Sequence, residues 1–297
     1  MREPADVYFH ANGIRQHGIE WQGSPDAHPV VMLHACGSNC WDWYPLGQRL
    51  AARFGAAVRI VALDHRGCGD SERPATGYDP ATCAADVLAV LDQLGGVPAT
   101  LIGHSRGGWM SAYLAGRFPD RVASLVLVDP ARMVWPSREA ADAFYERIGR
   151  GLGPFDRFED AVAQVEQDDP LVVWSEDRLR GLRFGLRQDE DGRLVGKLPR
   201  SVLAQLRAVR LDTDEVGPYL PRVSAPTLLL VASTSDASRQ AEKLAYRDGI
   251  PGTQVRFFPT SHYMHIDAPD DIAAVVGDFL AQEVPMVADK WAEPIPD

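Results

Sequence analysis

Between Thr100 and Gly108 a short apolar run, Thr100-Leu101-Ile102, meets Gly103-His104-Ser105-Arg106-Gly107-Gly108, and Trp109, Tyr113, Leu114 and Phe118 then recur at helical spacing up to Pro119 and Asp120. The pattern predicts a strand that turns into a helix within a few residues. Such a turn strains the backbone of the residue at its apex, Ser105, and only small residues two before and two after it leave room. Gly103 and Gly107 occupy those two places. The turn lifts the Ser105 hydroxyl clear of the sheet and sets it at a helix N-terminus, where backbone N–H groups and the helix dipole favour negative charge. Ser105 is therefore the candidate nucleophile. The side chains of His104 and Arg106 read as packing or salt-bridging groups of the turn.

The rest of the chain alternates strands and helices. Residues 7–10 and 14–21 flank Asn12-Gly13, a dipeptide of tight hairpins, and predict an antiparallel pair. Residues 30–33, 58–63, 124–128, 227–231 and 255–258 are short apolar runs, as expected of strands covered on both faces. Helical spacing marks residues 41–54, 80–94 and 270–282. Residues 131–224 hold helix-like stretches rich in Arg and Glu, scattered large aromatics and no strong strand. This order implies an α/β fold with a mostly parallel sheet, whose ligands bind beyond the carboxyl ends of the strands. Ser105 lies at such an end, as do the loops after His34, Asp64, Asp129, Val231 and Phe258. Residues 284–297, with three prolines, predict an extended surface tail.

The formal net charge of −11 argues against nucleic acid or an anionic membrane as partner, since both require a basic surface. The first residues carry Arg, Glu and Asp without an apolar core, so no signal peptide is read, and no apolar run approaches membrane-spanning length. A cytoplasmic protein is expected. Cys36, Cys40, Cys68 and Cys83 follow no C-x-x-C spacing and read as free thiols. A metal site drawn from His34, Cys36, Cys40 and His65 has no ligand pair at zinc-motif spacing, so no metal is expected. The G-x-G at Gly67 and Gly69 lacks the strand-to-helix context and lysine of a nucleotide site, and no cofactor is expected.

These stretches resemble the α/β-hydrolase superfamily over nearly the whole chain. The loop at His34 is similar to that family's His-Gly oxyanion loop, with Ala35 where Gly is usual. Asp64 to Ser71 is similar to its D-x-R-G-x-G-x-S stretch, and Ser261-His262 with Asp267 and Pro269 to its C-terminal histidine segment. The resemblance implies the α/β-hydrolase fold: a mostly parallel eight-stranded sheet, helices on both faces and a helical cap after the sixth strand. Residues 1–130 and 225–297 would form the core and 131–224 the cap.

A serine hydroxyl is a poor nucleophile at neutral pH and needs a base, which in turn needs an acid to hold its tautomer. Among the eight histidines, His262 falls after the last strand, as the family order Ser, acid, His requires; His265 is its nearest rival. For the acid, Asp236 stands in what resembles the family's usual acid loop and is favoured. Asp129, at the end of the preceding strand, is the alternative site. The backbone N–H groups of Cys36 and Arg106 are the candidate oxyanion hole. Serine in place of a carboxylate points to attack at a carbonyl, because an alkylated serine would be an ether that water could not release.

Pockets are mostly apolar with a few polar anchors. Trp135, just past the sixth strand, is the first candidate for a pocket wall, followed by Trp41 and Trp43; His34 joins Trp41 and Trp135 as a substrate-binding candidate. Arg178, Arg180, Arg183 and Arg187 lie at helical spacing and read as a solvated face. The expectation is a serine hydrolase of a carboxylic ester or lactone of a medium-sized, largely apolar small molecule. Two alternatives are a carbon–carbon bond hydrolase of a ketone-bearing acid, which a cap arginine reaching the pocket would favour, and a receptor or biosynthetic cyclase on the same scaffold.

Overall fold

A computed structural model of the chain describes residues 3–135, 137–209 and 214–283. The tail from residue 284, read above as an extended surface segment, lies outside them. The hairpin of β1 (Ala5–Ala11) and β2 (Ile14–Trp21) turns at Asn12-Gly13, both at positive φ. β3 (His28–Leu33), α1 (Tyr44–Phe54), β4 (Val58–Leu63), α2 (Pro80–Gln93), β5 (Ala99–His104), α3 (Arg106–Arg117) and β6 (Val122–Val128) follow. A 3-10 turn over Cys40–Trp43 precedes α1, in place of the single helix expected from residue 41. Beyond the inserted segment come β9 (Thr227–Ala232), α8 (Ala237–Gly249), β10 (Gln254–Phe258), α9 (Met264–Asp267) and α10 (Pro269–Glu283).

The eight strands form one sheet in the order β1-β2-β4-β3-β5-β6-β9-β10. β2 runs antiparallel to both β1 and β4; the pairs from β4 to β10 are parallel. Successive strand residues point to opposite faces, so each run fills two cores at once. Val31, Leu33 and Leu101 pack with Val87 and Val90 of α2, Met110 of α3 and Tyr246 of α8. Val30, Met32 and Ile102 pack on the other face with Leu46 and Leu50 of α1 and Val276 and Phe279 of α10. From β3 the chain moves one way to β4 and then crosses back to β5, which makes the gap between β3 and β5 the topological switch point, where open α/β sheets bind ligands.

The segment between β6 and β9 holds α4 (Arg138–Arg150), α5 (Phe158–Asp168), α6 (Glu176–Phe184), β7 (Leu186–Gln188), β8 (Leu194–Gly196) and α7 (Arg200–Ala208). It is not purely helical, because β7 and β8 pair as an antiparallel hairpin. Three residues per strand are too few for an apolar run to show in the sequence. Its own small core, with Tyr145, Leu152, Leu198, Val202, Leu203 and Leu206, closes onto Cys36, Cys68 and Tyr78 of the sheet domain. Val216, Leu220 and Val223, at the end of the span expected to be cap, pack instead in the main core with α3.

Candidate active site

Ser105 sits between β5 and α3 at φ 53° and ψ −114°, a conformation that L-residues rarely adopt. The turn is tight enough that a Cβ on Gly107 would overlap the Leu33 carbonyl and one on Gly103 the Gly107 carbonyl. The Ser105 N–H donates to Val128 O at 3.1 Å, and its carbonyl accepts from Trp109 and Ala131. The elbow is thus bonded to the end of β6 as well as to its own helix.

The next residue of that strand end, Asp129, is completely buried at φ 42°. Its N–H donates to Leu230 O at 2.8 Å, its Oδ1 accepts the Ala232 N–H at 2.9 Å, and its Oδ2 accepts His262 Nδ1 at 2.5 Å. Since a carboxylate only accepts, the His262 proton sits on Nδ1 and Nε2 carries the lone pair. His104 donates from Nε2 to the His262 carbonyl at 2.9 Å and fixes the histidine segment from below. His265, the rival, is wholly buried against Trp43 and His104, and burial pushes its pKa down to about 3.

Asp236, the favoured acid, is not at the site. Its side chain is 64% exposed, pairs with Arg239 at 3.5 Å and caps α8 by accepting the Arg239 N–H at 2.9 Å. The turn after β9 bonds back to Phe258 and Ala232, which carries Asp236 outward into the first position of a helix, where an aspartate is a good cap. Asp129 takes the place at His262 because β6 and β9 are neighbours and the two backbone bonds above clamp it between them.

Lys243 was not anticipated. It lies 3.4 Å from Asp129 Oδ2, with side-chain exposures of 8% and 0% for the pair, and donates to Arg239 O. Positions 243, 246 and 250 are all buried, at the spacing of a helix's apolar stripe. A lysine within that stripe was the signal available.

His34 is buried and makes no surface for a substrate, contrary to expectation. Its Nδ1 donates to Ala35 O at 2.7 Å and its Nε2 accepts the His65 N–H at 3.1 Å, so it ties the loop after β3 to the loop after β4. Burial holds its pKa below the ordinary value, the neutral state both bonds require. Ala35 is not among the residues at positive φ; Gly37, at φ 82°, makes the turn, so alanine fits where the family usually has glycine. Among the described residues, neither the Cys36 nor the Arg106 N–H donates to a protein acceptor.

Trp41 stacks on Phe184 of α6, centroids 3.9 Å apart, and Trp135 packs against Phe144 and Tyr145. Both hold the cap rather than line the adjoining cavity. That cavity, about 190 Å³, meets the site at Cys36 and Tyr263 and is bordered by Asp42, Arg147, Trp174 and Arg178. Burial pushes Asp42 up to about 7, with Arg178 opposing the shift. Arg178 is not part of a solvated face: it is buried, bonding Asp267 at 2.6 Å and Asp169 at 3.2 Å, and lies 5.0 Å over Tyr263. Helix α6 is thereby strapped to the segment that carries His262.

Among the described residues, one group has the donor set for a metal: His17, Cys40 and Asp64, with ligand atoms within 4.8 Å of one another. Their atoms are already committed. Asp64 Oδ2 takes His17 Nδ1 at 2.7 Å and the Asp70 N–H, Oδ1 takes the Cys40 N–H, and burial pushes the Cys40 thiol far up. The set reads as the hydrogen-bonded floor of the loop after β4.

A family model described as alpha/beta hydrolase fold matches residues 28–269. The chain is 28% identical over 254 residues to 2-(acetamidomethylene)succinate hydrolase of Mesorhizobium japonicum, covering 84% of this chain and 87% of that one. It is 28% identical over 256 residues to the sn-1-specific diacylglycerol lipase of Mus musculus, covering 85% and 80%. The crystal structure of E-2-(acetamidomethylene)succinate hydrolase superposes with a TM-score of 0.78 at 24% identity, over 94% of this chain and 99% of that one.

Proposed function

From the premise that this chain belongs to the α/β-hydrolase family, we propose that it is a serine hydrolase cleaving a carboxylic ester or lactone of a small molecule through an acyl-enzyme. The observation that carries this reading is the 2.5 Å bond between His262 Nδ1 and the buried Asp129, at the same end of the sheet as the strained Ser105. Asp129 holds the imidazole with Nε2 bare and stabilises the cation that forms when Nε2 takes the Ser105 proton. Ser105 Oγ attacks the carbonyl carbon, and the negative oxygen is met by the N–H groups of Cys36 and Arg106. The leaving alcohol departs with the proton from His262. Water then gives a proton to His262 and attacks the acyl carbon, and Ser105 Oγ leaves with that proton restored.

The test is labelling by a fluorophosphonate, native chain against Ser105→Ala, followed by nitrophenyl esters of increasing acyl length. Labelling that disappears in Ser105→Ala is expected. A folded native chain that takes no label and turns over no ester would overturn the reading.

A further inference from the structure

Three arginines of this chain are buried among the described residues: Arg66, Arg106 and Arg178. Arg66 grips Asp86 with two nitrogens, each at 2.5 Å, and Arg178 holds Asp267 and Asp169. Arg106 has no carboxylate partner among the described residues. Among the described residues its guanidinium has one hydrogen-bond partner, the Cys83 Sγ at 3.7 Å. Its charge is also felt by the thiols of Cys36 and Cys68 and by the hydroxyl of Tyr145, which already donates to Leu206 O. Burial pushes all three thiols up, so they are neutral and supply no counter-charge. A buried charge without a partner costs several kcal/mol, and proteins keep one where an incoming ion completes it.

The position of this cation indicates which ion that is. Arg106 directly follows Ser105, and it keeps 7% of its surface accessible, as do Ser105 and Cys36. Cys36 lies in the field of Arg106 and of Arg147 of the cap, which itself has no carboxylate partner among the described residues. Resting on the serine-hydrolase reading above, we propose that the substrate carries a carboxylate on its acyl part, and that the Arg106 guanidinium binds it beside the oxyanion hole. The substrate is then a monoester of a short dicarboxylic acid, or a lactone that bears a free carboxylate, rather than a wholly apolar ester. The name of the Mesorhizobium relative, 2-(acetamidomethylene)succinate hydrolase, also speaks of a dicarboxylate.

The probes are the monoethyl esters of malonate, succinate, glutarate and adipate, each against the ethyl alkanoate of equal chain length, followed by pH-stat. At least one anionic ester is expected to be preferred in kcat/KM. In Arg106→Met the anionic-to-neutral ratio should fall by about 100-fold, chiefly through KM, since a charge-assisted bidentate pair is lost. Arg106→Lys should recover part of the ratio. Arg106→Met should also keep or raise Tm, because removing an unpaired buried charge relieves the ligand-free protein. No anionic preference in the native chain overturns the proposal, as does an equal loss on both ester series with a lowered Tm, which marks Arg106 as a strut. Fluorophosphonate labelling of the same samples separates the two readings: labelled Ser105 without anionic preference sinks this proposal alone, while an unlabelled native chain sinks both.

Discussion

The loops that follow β6 and β9 each carry an aspartate near a strand end, and the surroundings set them to different tasks. Asp129 follows β6 directly, with every carboxylate oxygen engaged: Ala232 N–H on one, His262 and Lys243 on the other. Asp236 stands four residues beyond β9, with its oxygens on the first turn of α8 and on Arg239, at the surface. The first holds a left-handed backbone, a strain of about 1–3 kcal/mol of the kind kept at functional sites. The second lies in an ordinary extended conformation at φ −62°. Chemistry of the side chain is the same in both; burial and the neighbouring strand decide which one can orient a histidine.

The largest expected effect separates the two directly. Asp129→Asn should lower kcat/KM on the order of 10⁴-fold, because an amide no longer enforces the bare Nε2 on His262. Asp236→Asn should change it less than about twofold. If Asp236→Asn abolishes turnover in a folded protein while Asp129→Asn keeps it, the comparison is inverted. Next in size, Lys243→Met should cost on the order of 3 kcal/mol in urea unfolding, since it leaves the buried Asp129 carboxylate without its cation, and Lys243→Arg should lose less. Unchanged unfolding of Lys243→Met would mean that the carboxylate is satisfied by His262 and Ala232 alone.

The smallest effect belongs to the surface aspartate. Asp236→Ala should lower Tm by only a few degrees through the lost helix cap, with turnover retained. Here a pH series sharpens the contrast. The Arg239 N–H bond and the Arg239 charge hold the Asp236 pKa below its ordinary value, so its stabilisation is present above the unfolded value and is lost as pH falls through the folded one. The Tm gap between native and Asp236→Ala chains should therefore shrink as pH is taken from 7 to below 4. A gap that widens on acidification would contradict that sign.

Much of this architecture is local and so was legible in the chain. The elbow declares itself through Gly103, Ser105 and Gly107, because no other residue type fits beside the Leu33 and Gly107 carbonyls. Continuous apolar runs marked the strands, since burial on both faces removes the polar alternation. His262 followed from the resemblance, whose family order puts the histidine after the last strand. Asp129 and Asp236 were not separable in this way: each is an aspartate shortly after a buried strand, and the difference lies in contacts more than a hundred residues apart in sequence.

The arginines show the same limit. Arg178 shares helical spacing with Arg180, Arg183 and Arg187, and nothing in that spacing says that one of the four points inward to Asp267. Arg106 reads locally as part of a turn, and only the tertiary fold buries it with Cys83 Sγ of α2 as its side-chain partner and no carboxylate among the described residues. By itself the sequence determined the strand-and-helix order of the sheet domain and the place of Ser105 at a strand-to-helix turn, because periodicity, glycine sterics and turn chemistry act over a few residues. The tertiary structure alone decided which aspartate bonds His262, and which buried arginines meet a carboxylate among the described residues, because burial and ion pairing are properties of segments brought together from far along the chain.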